Sequence, residues 1–475
     1  MIDTNSLPEW TTFLRPVDAV FEAAKDKTQR LAARWEGVSG APVFTVAGRY
    51  TLRGWTEWTQ GFQIGNALLI HEATKDPWFL EFGRDKTLRL MAPHLSHEGV
   101  HDHGFNNIST YGNLLRMATE GSLEASSWEI EFYRLALKVS GAVQASRWTA
   151  LPEGLGYIHS FNGPHSLFAD TIRSLRSLAA AHLLGHALMS EQDTKVNLLG
   201  RLLAHAETTA RYNVYFGAGR DIWDISGRVA HESIFNIQSG VYRCPSSQQG
   251  YSPFSTWTRG LAWILLGYAE ELEFLAQVPA EEFENLGFPY YQTKTEALKR
   301  FLKTAMAVAD FHIENSPTDG VPYWDTGAPN LHRLGAYLDR PADPFNQQEP
   351  VDSSAAAISA QGLLRLGLYL SDLEKGAGDR YLAAATKTAE TLFSEPYLSR
   401  NPEHEGLLLH AVYHYPNGWD AAPGEDRIPR GESCMWGDYH LLELAQCLSR
   451  LARGSRPQRF FDILQREIAR SMPHG

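Results

Sequence analysis

Thr256-Trp257-Thr258-Arg259-Gly260-Leu261-Ala262-Trp263-Ile264-Leu265-Leu266-Gly267-Tyr268-Ala269 carries a single charged residue, and that scarcity decides the fold class. Apolar side chains occupy nearly every helical position, so a helix here has no wet face and must be covered on most sides. Five more segments share this dry character: 61–73, 104–117, 170–188, 353–370 and 433–448. Between them lie amphipathic segments with charged faces at 17–33, 76–91, 126–137, 192–209, 294–313 and 379–392. Turn-rich pieces at 154–156, 238–250, 316–327 and 416–431 punctuate the series.

Wet and dry segments therefore alternate about six times. A hairpin of one wet and one dry helix cannot bury its dry member alone. Closing six hairpins into a ring solves this, with dry helices inside and wet ones outside. The expectation is an all-α chain forming an α/α toroid, a six-hairpin barrel, as a single domain over residues 1–475. An irregular helical bundle is the competing arrangement, because the repeats share no sequence identity.

In such a ring the inner helices run the same way and their N-termini meet at one mouth. Helix N-termini present free N–H groups and partial positive charge, which suits an anion. Polar and aromatic clusters stand at those starts: Trp58-Thr59-Gln60-Gly61-Phe62, His101-Asp102-His103-Gly104-Phe105, Ala169-Asp170-Thr171, Ser255 to Gly260, Asp352-Ser353-Ser354 and Gly431-Glu432-Ser433. Asp170 or Asp102 alone reads as a helix cap. Two carboxylates at one mouth are a different proposition, since repulsion and aromatic walls can hold one proton for general acid chemistry. Arg259 and Trp263 are four apart and share a helix face. The arginine needs an anion, either a structural acid or a substrate carboxylate. Trp58, Trp257 and Trp263 offer flat faces to sugar rings or fill the core.

Composition narrows the function classes. Net charge is -12 with no Lys/Arg-rich tract, which disfavours nucleic acid and anionic lipid as partners. Three cysteines, Cys244, Cys434 and Cys447, make no disulfide framework and fit a reducing, cytoplasmic setting. No secretory leader pattern is read at the start, and no apolar run reaches membrane-spanning length. His97-Glu98-Gly99-Val100-His101 matches the H-E-x-x-H zinc signature, which requires a helix. Gly99 at its centre argues for a loop, so no zinc site is expected here; a zinc hydrolase using His97 and His101 remains the rival reading.

The ordered motifs resemble a known family. Gln249-Gly250-Tyr251-Ser252 with Ser255-Thr256-Trp257-Thr258-Arg259-Gly260 and Ala262-Trp263 is similar to the signature of the unsaturated glucuronyl hydrolases, glycoside hydrolase family 88. Trp58-Thr59 with Gly61-Phe62, His101-Asp102 with Gly104-Phe105, and Asp170 continue the resemblance. So do Asp319 to Asp325, Asp352 to Ala355, Gly406-Leu407-Leu408 with Val412-Tyr413-His414, and Glu432-Ser433 with Trp436 to Tyr439.

The resemblance implies an α/α toroid acting on oligosaccharides that end in a 4,5-unsaturated uronate. Hydration of that double bond would release the sugar, without cofactor. By the same resemblance Asp170 is the acid/base and Asp102 tunes it. Trp58, His101, His231, Gln249, Arg259, Trp263, Tyr413 and His414 would bind substrate. Related unsaturated rhamnogalacturonyl hydrolases and sugar epimerases on this fold are the alternatives. Departures from the pattern are Arg173 and Arg176 after Asp170, Phe161 for Trp, His103, Gln63, and Pro253-Phe254. The two arginines would face a sulfate or pair with acids.

Overall fold

A helix with one charged face packs on one side only, whereas a helix without one needs neighbours all round. The computed structural model, which describes residues 1–464 apart from 38, 55, 421–427 and 463, arranges the chain accordingly. The outer helices are α1 Leu14–Arg34, α3 Pro77–Leu90, α5 Ser127–Ser146, α7 Leu198–Tyr212, α9 Lys294–Glu314 and α11 Asp379–Leu392. The inner ones are α2 Gln60–Thr74, α4, α6, α8 Thr258–Gln277, α10 Ser353–Leu373 and α12 Met435–Ala452. Helix α4 comprises His103–Asn107, a π turn Ile108–Gly112 and Asn113–Thr119; α6 comprises Thr171–Ser174 and Arg176–Leu183. Each inner helix packs on the next, and α12 closes on α2. The protein is an α/α toroid of six hairpins.

The inner helices are glycine-rich because they touch backbone to backbone. A Cβ on Gly104 of α4 would lie 2.1 Å from the Ser174 carbonyl oxygen of α6. One on Gly61 of α2 would lie 2.4 Å from the Asn106 carbonyl oxygen of α4. Every residue of α8 from Thr258 to Leu275 is buried, as its composition requires. Outer helices instead carry sequence-coded starts: Ser126 with Glu129 and Thr293 with Glu296 form capping boxes on α5 and α9.

Several boundaries differ from expectation. Helix α6 stops at Leu183, short of 188, because Gly185 takes φ +74° and the chain turns into a strand at Leu188–Met189. Helix α7 begins at Leu198 instead of 192, where Asn197 caps Gly200 N–H; Gln192 has φ 56°. Helix α5 runs nine residues beyond 137, to Ser146. Residues 238–250, read as turns, contain the strand Tyr242–Ser246. Part of the 416–431 turn piece lies outside the described residues. No helix among the described residues is long and apolar enough to cross a membrane.

One small sheet matters to the site. Ser166–Phe168, Glu232–Phe235 and Tyr242–Ser246 pair antiparallel, with Phe168 opposite Glu232 and Glu232 opposite Ser246. That register brings three separated residues to one corner: Asp170 just after the first strand, His231 just before the second, and Gln249 just after the third.

Candidate active site

The N-terminal ends of α2, α4, α6 and α8 open on a cavity of about 600 Å³. Nine of the ten residues expected at the site line it: Trp58, His101, Asp102, Asp170, Gln249, Arg259, Trp263, Tyr413 and His414. His231 is not among the lining residues. It lies behind them, its ring 4.6 Å from those of Phe168 and Trp257. Its Nδ1 accepts from the backbone N–H of Gln248 at 3.1 Å, so its proton sits on Nε2, a buried atom without a protein partner. Burial pushes its pKa down to about 4.

Asp102 and Asp170 each occupy an N-cap position, yet neither side chain caps its helix. Both turn towards His101 instead. His101 Nε2 is 3.4 Å from Asp170 Oδ1 and 3.6 Å from Asp102 Oδ1, and the imidazole is 3% exposed. Asp170 Oδ1 and His101 Nδ1 are buried without hydrogen-bond partners. Two acids sharing one base titrate apart. Burial, with Asp170 adding to it, raises the Asp102 pKa despite the pull of His101. Burial also works against charge on Asp170, but His101, His231 and Arg259 carry that carboxyl below its ordinary value. Of the two, Asp102 is thus the one pushed towards the neutral form in the free protein.

The walls are aromatic. Trp58 stacks on Trp436 at 4.9 Å and 27°, and meets Phe105 edge-on at 5.8 Å. Phe105 in turn packs on Trp263 at 4.9 Å. Phe161, where a tryptophan was expected, is 58% exposed and lies flat beside His101.

Arg259 takes the structural alternative. Its Nη1 meets Asp352 Oδ2 at 3.2 Å and donates to the Val412 carbonyl. Its Nη2 donates to Gln249 Oε1 at 2.8 Å and to the Tyr413 carbonyl at 2.7 Å. All four terminal N–H groups are thereby committed, and Arg259 acts on the cavity by holding Gln249 and the 412–413 backbone. Asp352 does what the two mouth acids do not, capping α10 through the Ser354 and Ala355 N–H groups. Asp420 completes the support, its carboxylate accepting from the N–H of Tyr413 and of His414.

Arg173 and Arg176 likewise pair with acids. Arg173 contacts Glu270 at 2.8 Å and Glu443 at 3.2 Å, and Arg176 contacts Glu270 at 3.5 Å. Residues 96–102 are turns and bends, so His97 and His101 lack the one-turn helical spacing of the zinc signature. No group of three or more His, Cys, Asp or Glu side chains among the described residues is placed to hold a metal ion. His94 and His103 pin this loop, through Gln60 and Asn106 for the first and Ser140 and the His97 carbonyl for the second.

The cavity also contains residues that were not foreseen, Glu57, Gln248, Asn417 and Trp419 among them, and His97, which was considered only as a zinc ligand. Glu57 and Gln248 are chain neighbours of Trp58 and Gln249, and that adjacency was the available signal. Asn417 and Trp419 sit in a loop without periodicity.

Comparison with known proteins finds relatives over most of the chain. The chain is 26% identical over 387 residues to an unsaturated glucuronyl hydrolase of Formosa agariphila, covering 82% of this chain and 78% of that one. It is 27% identical over 421 residues to an unsaturated glucuronyl hydrolase of Bacillus sp. (strain GL1), covering 86% and 89%. The chain resembles the unsaturated glucuronyl hydrolases. The crystal structure of such an enzyme from Bacillus sp. GL1 superposes with a TM-score of 0.66 at 24% identity, over 91% of this chain and 97% of that one. No family model matches the sequence.

Proposed function

We propose that this protein is a hydrolase that removes a terminal 4,5-unsaturated uronic acid from oligosaccharides left by polysaccharide lyases. The observation that carries the reading is the pair Asp102 and Asp170 meeting at His101 inside an aromatic cavity. An enol ether is protonated on carbon, which needs a carboxyl placed over the ring and shielded from bulk water.

In this proposal Asp170 gives a proton to C4. Electrons from the ring oxygen stabilise the cation at C5. Asp170, now a carboxylate, takes a proton from the water that adds at C5. The resulting hemiketal opens and releases the remaining sugar. Asp102 binds sugar hydroxyls and tunes Asp170. His231, behind the lining residues, acts on Asp170 electrostatically. Trp58 and Trp263 supply faces for the ring. The free thiols of Cys244, Cys434 and Cys447 fit a cytoplasmic enzyme fed by imported oligosaccharides.

The test is a panel of lyase-generated disaccharides with different aglycones, each followed by its ultraviolet alkene absorbance. The proposal expects decay for at least one unsaturated glucuronyl member. Decay confined to unsaturated galacturonyl-rhamnose would favour the related hydrolase class. Conversion of saturated sugars with every alkene untouched would refute the proposal in favour of an epimerase.

A further inference from the structure

We propose that His101 stores the proton that Asp170 delivers to the sugar, and passes it across when an anionic ring enters the cavity. The inference rests on the uronyl hydrolase reading and adds a location for the proton that this reading leaves unassigned.

The geometry is specific. One imidazole nitrogen, Nε2, faces Oδ1 of both acids, at 3.4 Å for Asp170 and 3.6 Å for Asp102. The other, Nδ1, is buried with no partner, a cost of the charged ring that the two carboxylates must outweigh. The ring is fixed by Phe161 and Phe168 at 6.1 Å and 5.6 Å. A neutral imidazole has one donor and no charge to offer two carboxylates, which in a buried site leaves both charges uncompensated. A charged imidazolium balances one of them, and the other acid takes the neutral form.

The surrounding charges agree. Burial opposes charge on His101, yet Asp102 and Asp170 outweigh it and raise its pKa. Arg147 works in the other direction, but its guanidinium is turned to the Glu98, His159 and Ser160 carbonyls. His103, His159 and His205 also feel His101, and each is pushed below the ordinary histidine range, to about 4, 4 and 3, chiefly by burial. They are neutral near pH 7 and do not compete for the proton.

The resting site is then Asp170 carboxylate beside His101 imidazolium. A carboxylate that cannot donate becomes a donor once the 3.4 Å Nε2···Oδ1 contact tightens into a hydrogen bond and the proton crosses, leaving a neutral imidazole and a neutral carboxyl. An entering ring drives this step by excluding water, which disfavours the imidazolium–carboxylate pair relative to two neutral groups. The O–H proton goes to C4, solvent water adds at C5, and the water's proton returns to Asp170 and from there to Nε2. No net proton is gained or lost by the protein, and the sugar gains one water.

Two measurements test this. The first places the charge in protein labelled with 15N-histidine, with the His101 signals assigned by their loss in His101→Gln. The expected result is a protonated His101 at pH 7, with a lower midpoint in both Asp170→Asn and Asp102→Asn. A disaccharide ending in saturated glucuronate, which carries the carboxylate without the alkene, should move His101 of the wild type towards the neutral pattern. A neutral His101 in the free wild type at pH 7 overturns the proposal.

The second is the pH profile of kcat/KM. Wild-type activity should fall as pH rises through the raised His101 midpoint. In His101→Gln the proton must reside on Asp170 alone, so the falling limb should move to acid by more than about one unit. A profile lowered uniformly, without that displacement, would make His101 structural. Wild-type protein that consumes no alkene sinks the hydrolase reading itself, while the resting charge on His101 stays measurable on its own.

Discussion

The two ends of the toroid both bury charged residues and compensate them to different degrees. Along the inner helices below the mouth, most buried arginines meet glutamates, although both oxygens of the buried Glu271 have no hydrogen-bond partner. Arg116 and Arg450 both reach Glu72, Arg365 holds both oxygens of Glu273, and Arg173 bridges Glu270 and Glu443. At the other end, Asp102 and Asp170 share one histidine, and polar atoms of Asp170, His101, His231 and His414 have no protein partner. A matched buried charge holds helices together. An unmatched one at the wall of a cavity is an unfinished contact that a ligand can complete.

Arg259 sharpens the comparison, because it sits at the mouth but is paired like the far end. Arg259→Met leaves Asp352 buried and uncompensated. Stability in urea should fall by about 3–5 kcal/mol, and Gln249 should lose its tether. A variant of unchanged stability would return Arg259 to the role of a free substrate ligand.

The next effect belongs to the far end and depends on pH. Burial pushes the Glu72 carboxyl up, but Arg116 and Arg450 outweigh it and bring its pKa from 4.5 to about 2. A depressed acid stabilises the fold above its unfolded pKa and loses that contribution as pH falls through the folded one. Unfolding free energy should therefore drop between pH 4.5 and 2, by up to about 3 kcal/mol from this group. Glu72→Gln should flatten that part of the curve while sparing alkene consumption at pH 7.

The smallest expected stability change is at the seam between the two acids. Gly104→Ala presses a methyl on the Ser174 carbonyl, and overpacking of this kind costs about 1–3 kcal/mol. Separating α4 from α6 also moves Asp102 away from Asp170. Activity should fall more than stability does, and equal kcat/KM in the two proteins would show that the seam does not set the site.

Much of this was legible in the chain because it depends on local pattern. The alternation of charged and uncharged helices located all twelve toroid helices, and the clusters at the inner-helix starts located five of the nine lining residues, with Trp263 following from the face it shares with Arg259, and Gln249, Tyr413 and His414 from the family resemblance. What escaped was decided by distant partners. Nothing near Arg259 shows that Asp352, 93 positions on, neutralises it, nor that Glu270 and Glu443 do the same for Arg173. The early end of α6 follows from one glycine turn that the apolar pattern of 184–188 conceals. Trp419 reaches the cavity from a loop, where no periodicity reports which way a side chain faces.

The central claim is that Asp170 acts chemically and contributes little to the fold. Its most direct test follows alkene absorbance and urea unfolding side by side in wild type and Asp170→Asn, with the best disaccharide at saturation. The account predicts turnover reduced by about 10²–10⁴, with no loss of unfolding free energy. Turnover within tenfold of wild type, or lost activity explained by an unfolded protein, would contradict it.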